Sequence, residues 1–391
     1  GKKWQEIKYA DMVGSADASD FGSAITVKLL MVTNMKSLDV RNQKIIEAVI
    51  EKADRVCPKS LAMIGIYGSF ATGDFHEKSD LDLLVLINDD NGWQLGCTFI
   101  QDDLEIGHDI YCTTWEDLEE LSLYNSPHIS KLMDSQIVYC ADEKYADKLK
   151  SLRKKTKNIL LSPLSEEDFV KAVNMMKEAE HFYLSAVISE EMTDIRVQTG
   201  YTVYYIENAI AMLNKKYFRF GSKRIYEELE LMENKPDKLC EMIESVLQAD
   251  SAERIKESLT ILMQKIMHIF KKMKATFAAE KKNVTPNSIG GTYEEMFSNW
   301  RNKMYFAAKE NNRHLAFMSM VSFNAMISDI CEKTDIGEYN VFKGYDPKNL
   351  EKTAAAFDDL INEYLQKEYR KANLQAERYK DIDSFVRQYL G

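Results

Sequence analysis

The chain has 391 residues, of which 45% are hydrophobic and 29% are charged. The length suggests two or three folded domains, and the composition is that of a globular protein. A formal net charge of −11 argues against tight, sequence-independent binding to nucleic acid, which depends on cationic contacts to phosphates. We see no apolar run of the ~20 residues that a membrane helix needs. The six cysteines are scattered without a Cys-x-x-Cys pair, so we expect reduced thiols in a cytoplasmic protein.

The N-terminal part of the chain predicts an arm followed by a helix. Residues 1–40 are interrupted by glycine and serine, which is typical of a loosely structured arm. From Val40 to Val56 the apolar residues recur at helical spacing, and Cys57-Pro58 ends this predicted helix.

Short apolar segments then predict a small domain that mixes strands and helices around one sheet. A turn at Asn88–Gly92 separates the middle strands, and Thr114 is placed to cap a helix. The predicted strands are Leu61–Tyr67, Asp80–Ile87, Gln94–Ile100, Glu105–Cys112 and Ile137–Cys140. We assign this domain to residues 41–160.

After Pro163 the sequence becomes helical. Ser165–Asp168 has the form of a capping box, and helical periodicity continues to about residue 280. The segment Asn283–Gly291 interrupts it, and helices restart at Thr292. We therefore predict an α+β fold in which the small mixed-sheet domain precedes an all-α bundle region, divided into helical domains at 161–282 and 292–391.

The segment from residue 68 to residue 82 carries most of the functional information. Gly68-Ser69 forms a small turn, and Asp80 and Asp82 lie at the mouth of an apolar strand. Residues two apart in a strand point to the same face, and two carboxylates there repel unless a cation lies between them. Mg²⁺ prefers such hard oxygen ligands and is commonly coordinated by substrate phosphates at the same time. The backbone amides around Gly68 and Ser69 would form a nest for those phosphates.

A third acid is expected from a neighbouring strand. Asp109 fits because it lies between apolar or aromatic residues in a predicted strand, where an unpaired carboxylate would be costly. Three such acids would hold one or two Mg²⁺ ions for in-line attack on a phosphorus atom. Asp109, as the acid nearest the nucleophile, would also act as the base.

These residues resemble a known core motif. Gly-Ser-x-Ala-Thr-Gly, five further residues and Ser-Asp-Leu-Asp-Leu are similar to the motif of the DNA polymerase β-like nucleotidyltransferase superfamily. The resemblance is closest to its minimal and antibiotic (aminoglycoside, lincosamide) branch, covers about residues 45–155, and fits a helical domain behind a catalytic one. Thr72 departs from the pattern, since many relatives have an arginine there.

The resemblance implies which residues form the site. Gly68, Ser69 and Ser79 would contact the nucleotide. Asp80, Asp82 and Asp109 would bind Mg²⁺ and serve catalysis. The implied reaction is Mg²⁺-dependent transfer of a nucleoside monophosphate, expected to be AMP from ATP, to a hydroxyl group, with release of pyrophosphate.

The acceptor is the less defined partner. An acidic cleft would favour a cationic small molecule such as an aminoglycoside. Two alternatives stay open: AMPylation of a protein, and a nucleotide-binding scaffold without catalysis. Neither a membrane nor a nucleic acid is an expected partner, and a homodimer is left open.

Two further groups of residues admit more than one interpretation. The basic run Asn214–Arg224, interleaved with aromatic residues, either faces the cleft or forms an exposed loop between helices. His108 lies next to Asp109 but would point to the other face, so we expect it to be structural.

Overall fold

The computed structural model describes residues 39–391. The chain divides into two compact units, the first ending at Phe277 and the second running from Ala278 to Gly391. The predicted arm, residues 1–40, lies outside the described residues except for its last two positions.

The first unit opens with the predicted helix α1 (Val40–Val56). The Asp39 side chain caps it by accepting a hydrogen bond from the Asn42 amide at 2.8 Å. Its apolar face buries Ile46 and Val49 in one cluster with residues of the sheet. The helical spacing in the sequence therefore identified both the helix and its buried face.

Six strands lie in the described part of the first unit. They are β1 (Leu61–Ile66), β2 (Leu83–Ile87), β3 (Cys97–Gln101), β4 (Ile106–Ile110), β5 (Cys112–Thr114) and β6 (Gln136–Cys140). Four of them form the main sheet in the order β5-β2-β1-β6. Strand β1 is antiparallel to β2 and β6, whereas β5 is parallel to β2. Every residue of β1 and β2 is buried, because apolar clusters cover both faces of the sheet.

The expectation of a single sheet is wrong in one respect. Strands β3 and β4 pair only with each other, as a separate antiparallel sheet. The predicted strand Glu105–Cys112 is split at Tyr111, because the chain there changes its pairing partner from β3 to β2. The first two residues of the predicted strand Gln94–Ile100 belong instead to a 3₁₀ helix, Asp90–Leu95, and the strand itself begins at Cys97.

The predicted strand Asp80–Ile87 also begins later, at Leu83. Its partner β1 ends where the chain turns at Gly68, so the ladder has one further bond, from the Tyr67 amide to the Asp82 carbonyl. Asp80 and Asp82 therefore lie just before the strand, at the edge of the buried sheet.

The first unit continues into long helices. Its helices after α1 are α2 (Ser69–Thr72), α3 (Trp115–Ser122), α4 (Ser130–Met133), α5 (Glu143–Leu161), α6 (Glu166–Ile188), α7 (Met192–Leu213), α8 (Ile225–Glu230), α9 (Leu239–Gln248) and α10 (Ala252–Thr276). The capping boxes predicted at Thr114 and Ser165 are confirmed. Leu121 and Met133 pack both against the apolar cluster of α6, α7 and α10 and against the cluster on one face of the sheet, and so join the helices to the sheet. The predicted division at residue 160 stays a prediction.

The second unit is helical as predicted. It contains α11 (Pro286–Ile289), α12 (Thr292–Met296), α13 (Asn302–Lys309), α14 (Arg313–Lys333), α15 (Leu350–Tyr364) and α16 (Ile382–Tyr389), with π turns at Phe297–Arg301 and Leu365–Tyr369. Its core is aromatic, with the Phe323 ring 5.5 Å from Trp300 and 5.0 Å from Phe357. The second unit starts at Ala278, before residue 292, and a bridge between Lys282 and Thr334 ties its first residues to α14.

Among the described residues one helix, α14, has the length and the mean hydropathy, 1.2, of a membrane-crossing helix. Its buried residues Ala316, Met320, Phe323 and Ile327 recur every three or four positions and belong to the core of the second unit. This spacing is typical of an amphipathic core helix.

One buried acid in α7 couples stability to pH. Glu207 is 9% exposed, and burial raises its pKa from 4.5 to about 7. The folded chain therefore keeps a proton on Glu207 that the unfolded chain releases between these two values. Stability contributed by this group is thus lost as the pH rises through that window.

The wild type should lose free energy of unfolding between about pH 5 and about pH 8. We predict that in Glu207→Gln, which keeps the side-chain shape and cannot ionise, this loss is smaller by up to about 3 kcal/mol. Urea unfolding at both pH values measures it. Glu257→Gln on the exposed side of α10 is the control for charge. An equal pH dependence in wild type and Glu207→Gln would contradict the assignment.

Candidate nucleotide-binding site

The turn after β1 brings Gly68 against Asp82. Gly68 has φ 67° and ψ −149°, a combination nearly restricted to glycine. A Cβ atom on Gly68 would lie 1.9 Å from Asp82 Oδ2. The Ser69 backbone amide donates a hydrogen bond to the Asp82 carboxylate. This bond opposes the rise of the Asp82 pKa that burial causes. The predicted neighbourhood of turn and acid is therefore a direct contact.

Asp80 and Asp82 form a pair of interacting carboxylates. Asp80 is exposed, and Asp82 is half-buried. Burial is the largest cause that raises the pKa of Asp82, and repulsion from Asp80 raises it further. The pair thus concentrates negative charge that a cation would relieve.

Asp109 precedes a strand that pairs with β2. Strands β2 and β5 are parallel, with Val85 opposite Cys112. Asp82 and Asp109 each lie three residues before this pair, so both approach the same end of the main sheet. The chain changes pairing partner at Tyr111, and Asp109 itself belongs to β4.

An ion pair also links the two segments. Lys78, in the loop before Asp80, has its Nζ atom 3.1 Å from Oε2 of Glu105, in the turn before β4. Glu105 is thereby engaged by a lysine at the surface.

The charges of all three acids act on the Tyr67 hydroxyl. Burial raises the pKa of Tyr67 to about 12, and the negative charges of Asp82, Asp109 and Asp80 act in the same direction. All three carboxylates therefore lie within electrostatic range of the phenol that follows β1.

The donor set fits Mg²⁺ as part of a shared coordination sphere. Within residues 39–391 no group of three or more His, Cys, Asp or Glu side chains is arranged to hold a metal ion by itself. Mg²⁺, however, is commonly bound through one or two carboxylates together with substrate phosphates and water. The repelling Asp80–Asp82 pair meets that requirement. Coordination by Asp109 stays a prediction.

Lys131 is a site residue that the sequence did not indicate. It lies on α4, with its ammonium 5.6 Å from the Tyr67 ring centre and 5.4 Å from that of Tyr111. Its charge lowers the pKa of Asp82, and burial lowers its own pKa. An isolated lysine far along the chain has no motif, so only the fold shows its place.

The loop between α2 and β2, residues 73–82, is called the motif loop, and a residue of α1 holds it. Arg41 on α1 donates to the Ser79 carbonyl at 3.0 Å and lies over the Phe70 ring. The Ser79 hydroxyl is buried and accepts a hydrogen bond from the His76 amide at 2.9 Å. Ser79 thus closes the loop, and its predicted contact to a nucleotide stays a prediction.

His108 has the structural role that we expected. It is buried, with Nε2 3.0 Å from Gln101 Oε1 and its ring stacked on Phe99 at 4.7 Å. These contacts hold the β3–β4 hairpin together.

The basic run 214–224 serves several roles. Lys215 is buried, with Nζ 2.6 Å from Asp168 Oδ2, and is therefore part of the helical core. Arg219 lies 3.5 Å from Asp134. Arg224 lies 3.4 Å from Asp74 in the motif loop, so the run contacts that loop through its last residue.

Comparison with known proteins agrees with this geometry. Residues 43–165 match the family model of the nucleotidyltransferase domain, a segment that holds the turn and all three acids. No curated protein matches the chain at a significant level. The broader prediction is confirmed for this segment, which supports a transferase, and the antibiotic branch stays a prediction.

Several solved structures are also similar. Among them is a nucleotidyltransferase-like protein from Exiguobacterium sibiricum 255-15, 10% identical over 73% of this chain and 92% of that chain, with a TM-score of 0.32.

The Gly68 contact gives a prediction. We expect Gly68→Ala to destabilise the chain by about 1–3 kcal/mol through backbone strain and to displace the Asp82 carboxylate. Gly73→Ala is the matched control, since Gly73 also has positive φ but a Cβ there meets nothing within 4 Å. Denaturant unfolding and binding of Mg²⁺ with a non-hydrolysable ATP analogue measure both effects. Equal binding by the two variants would contradict the contact.

Proposed function

We propose that the chain is a Mg²⁺-dependent nucleotidyltransferase that moves a nucleoside monophosphate from an NTP to a hydroxyl group of a small molecule. The observation that carries the proposal is the contact of Gly68 with Asp82, beside Asp80 and Asp109. It lies within the segment that matches the nucleotidyltransferase domain.

The reaction that we propose balances as a single displacement. The acceptor oxygen forms a bond to the α-phosphorus, the bond from that phosphorus to the bridging oxygen breaks, and pyrophosphate leaves. Asp109 takes the proton of the hydroxyl group. When bound, Mg²⁺ supplies positive charge that offsets the charge developing on the phosphates.

Groups of the chain would orient the triphosphate. The backbone around Gly68 and Ser69 would face it, and the Lys131 ammonium, over the Tyr67 ring, offsets part of the charge of Asp82. With a pKa of about 12 the Tyr67 phenol keeps its proton at neutral pH and can donate a hydrogen bond. These contacts would replace the arginine that many relatives carry at the position of Thr72.

The finer assignments belong to the same proposal. We propose ATP as donor, AMP as the transferred group and an aminoglycoside-like acceptor, in the cytoplasm. The net charge of −11 supports a neutral or cationic acceptor over a nucleic acid. AMPylation of a protein and nucleotide binding without catalysis are the competing outcomes of the test.

We predict that Asp80→Asn and Asp82→Asn each lower pyrophosphate release by at least about 100-fold, since loss of a metal ligand removes several kcal/mol of transition-state stabilisation. The assay uses ATP, Mg²⁺ and a panel of aminoglycosides, lincosamides and sugars. Asp103→Asn in the exposed turn after β3 is the control. Unchanged turnover in Asp82→Asn would defeat the assignment, and nucleotide binding without any turnover would favour the scaffold.

A further inference from the structure

A cleft of about 510 Å³ opens on the β3–β4 hairpin beside Asp109. The lining residues are Thr98, Phe99, Ile100, Gly107, His108 and Asp109. The cleft therefore contains the acid to which the proposed function gives the proton of the acceptor. No lysine or arginine is among these lining residues.

The hairpin register shows what one face of this cleft presents. Thr98 is opposite Asp109, and Ile100 is opposite Gly107. Directly opposed residues share a face of the sheet, so these four lie together. All four are exposed, and Ile100 is 74% exposed although it is apolar. The face thus combines an apolar surface, a hydroxyl group and a carboxylate.

Gly107 lies at the centre of this face. It lies two residues before Asp109 in β4, on the same face of the hairpin. A Cβ atom on Gly107 would meet nothing within 4 Å, and its φ is not positive. Neither packing nor backbone conformation therefore requires glycine here. What glycine does provide is open space next to Asp109.

We propose that this cleft binds the acceptor and that Gly107 sets how bulky a group can reach Asp109. This inference rests on the proposed function and names the substrate class of its site. The lining favours a compact, hydroxylated acceptor that is neutral or cationic and has an apolar face. An anionic acceptor finds no cationic side chain in this lining to balance its charge.

The test increases the size of the side chain at residue 107 stepwise, in the full chain. Gly107→Ala and Gly107→Leu are compared with Gly200→Leu, a control on the exposed side of α7 where a Cβ also meets nothing within 4 Å. Pyrophosphate release from ATP with Mg²⁺ is measured with glycerol, glucose, lincomycin and kanamycin. Affinity for a non-hydrolysable ATP analogue is measured separately, and thermal unfolding verifies that each variant is folded.

We expect Gly107→Leu to raise the KM for the larger acceptors by at least roughly tenfold relative to glycerol, as a filled pocket does. Affinity for the analogue should stay within about twofold, and Gly107→Ala should lie between wild type and Gly107→Leu.

Other results overturn the inference in distinguishable ways. An unchanged KM for every acceptor shows that the cleft is not the acceptor site. An equal loss of analogue affinity places the nucleotide in the cleft instead. Analogue binding without turnover of any panel compound counts against the acceptor class, whereas a wild type that binds no analogue defeats the proposed function itself.

Discussion

The site depends on one close approach, that of the Gly68 backbone to the Asp82 carboxylate. Because a Cβ atom would lie 1.9 Å from Oδ2, only glycine lets the turn close over the acid. The approach also places the Ser69 amide on the carboxylate, which opposes the rise in its pKa caused by burial and by Asp80. The turn therefore holds Asp82 in a defined position while leaving the pair electrostatically unsatisfied.

That position is supported by two elements of the sheet. Strand β1 ends at the turn, and β2 begins directly after Asp82, so the acid is fixed from both sides. The segment that carries Asp109 leads into β5, which pairs with β2, and the Lys78–Glu105 ion pair links it to the loop before Asp80. Asp80 and Asp82 thus lie at the edge of a buried, apolar sheet, and Asp109 lies on the β3–β4 hairpin. Phosphates and water would complete the coordination of Mg²⁺ there.

Much of this could be predicted from the sequence because the motif is local. Gly68, Ser69, Asp80 and Asp82 lie within one short segment whose turn and strand follow from residue type. The helix α1 and the capping boxes at Thr114 and Ser165 are local for the same reason. The later start of β2 could not be predicted, because a strand ends where its partner turns away.

The residues that the sequence did not indicate are those placed by long-range contacts. Lys131 reaches Tyr67 across the fold, and Arg41 holds the Ser79 carbonyl from α1. The basic run could not be interpreted because its members have different partners, from the half-buried Asp168 in the first turn of α6 to Asp74 in the motif loop. The split at Tyr111 had no turn residue to mark it, since the chain changes partner without reversing direction.

We propose that the acid pair holds a divalent cation jointly with the phosphates of a nucleotide. The affinity of a fluorescent, non-hydrolysable ATP analogue for the full chain, measured in Mg²⁺ and in EDTA, tests this directly. We expect binding at least about tenfold tighter in Mg²⁺, a coupling of roughly 1.4 kcal/mol or more, and loss of that gain when Asp82 is replaced by asparagine. Equal affinity with and without Mg²⁺ would show that the pair does not bind the cation together with the nucleotide.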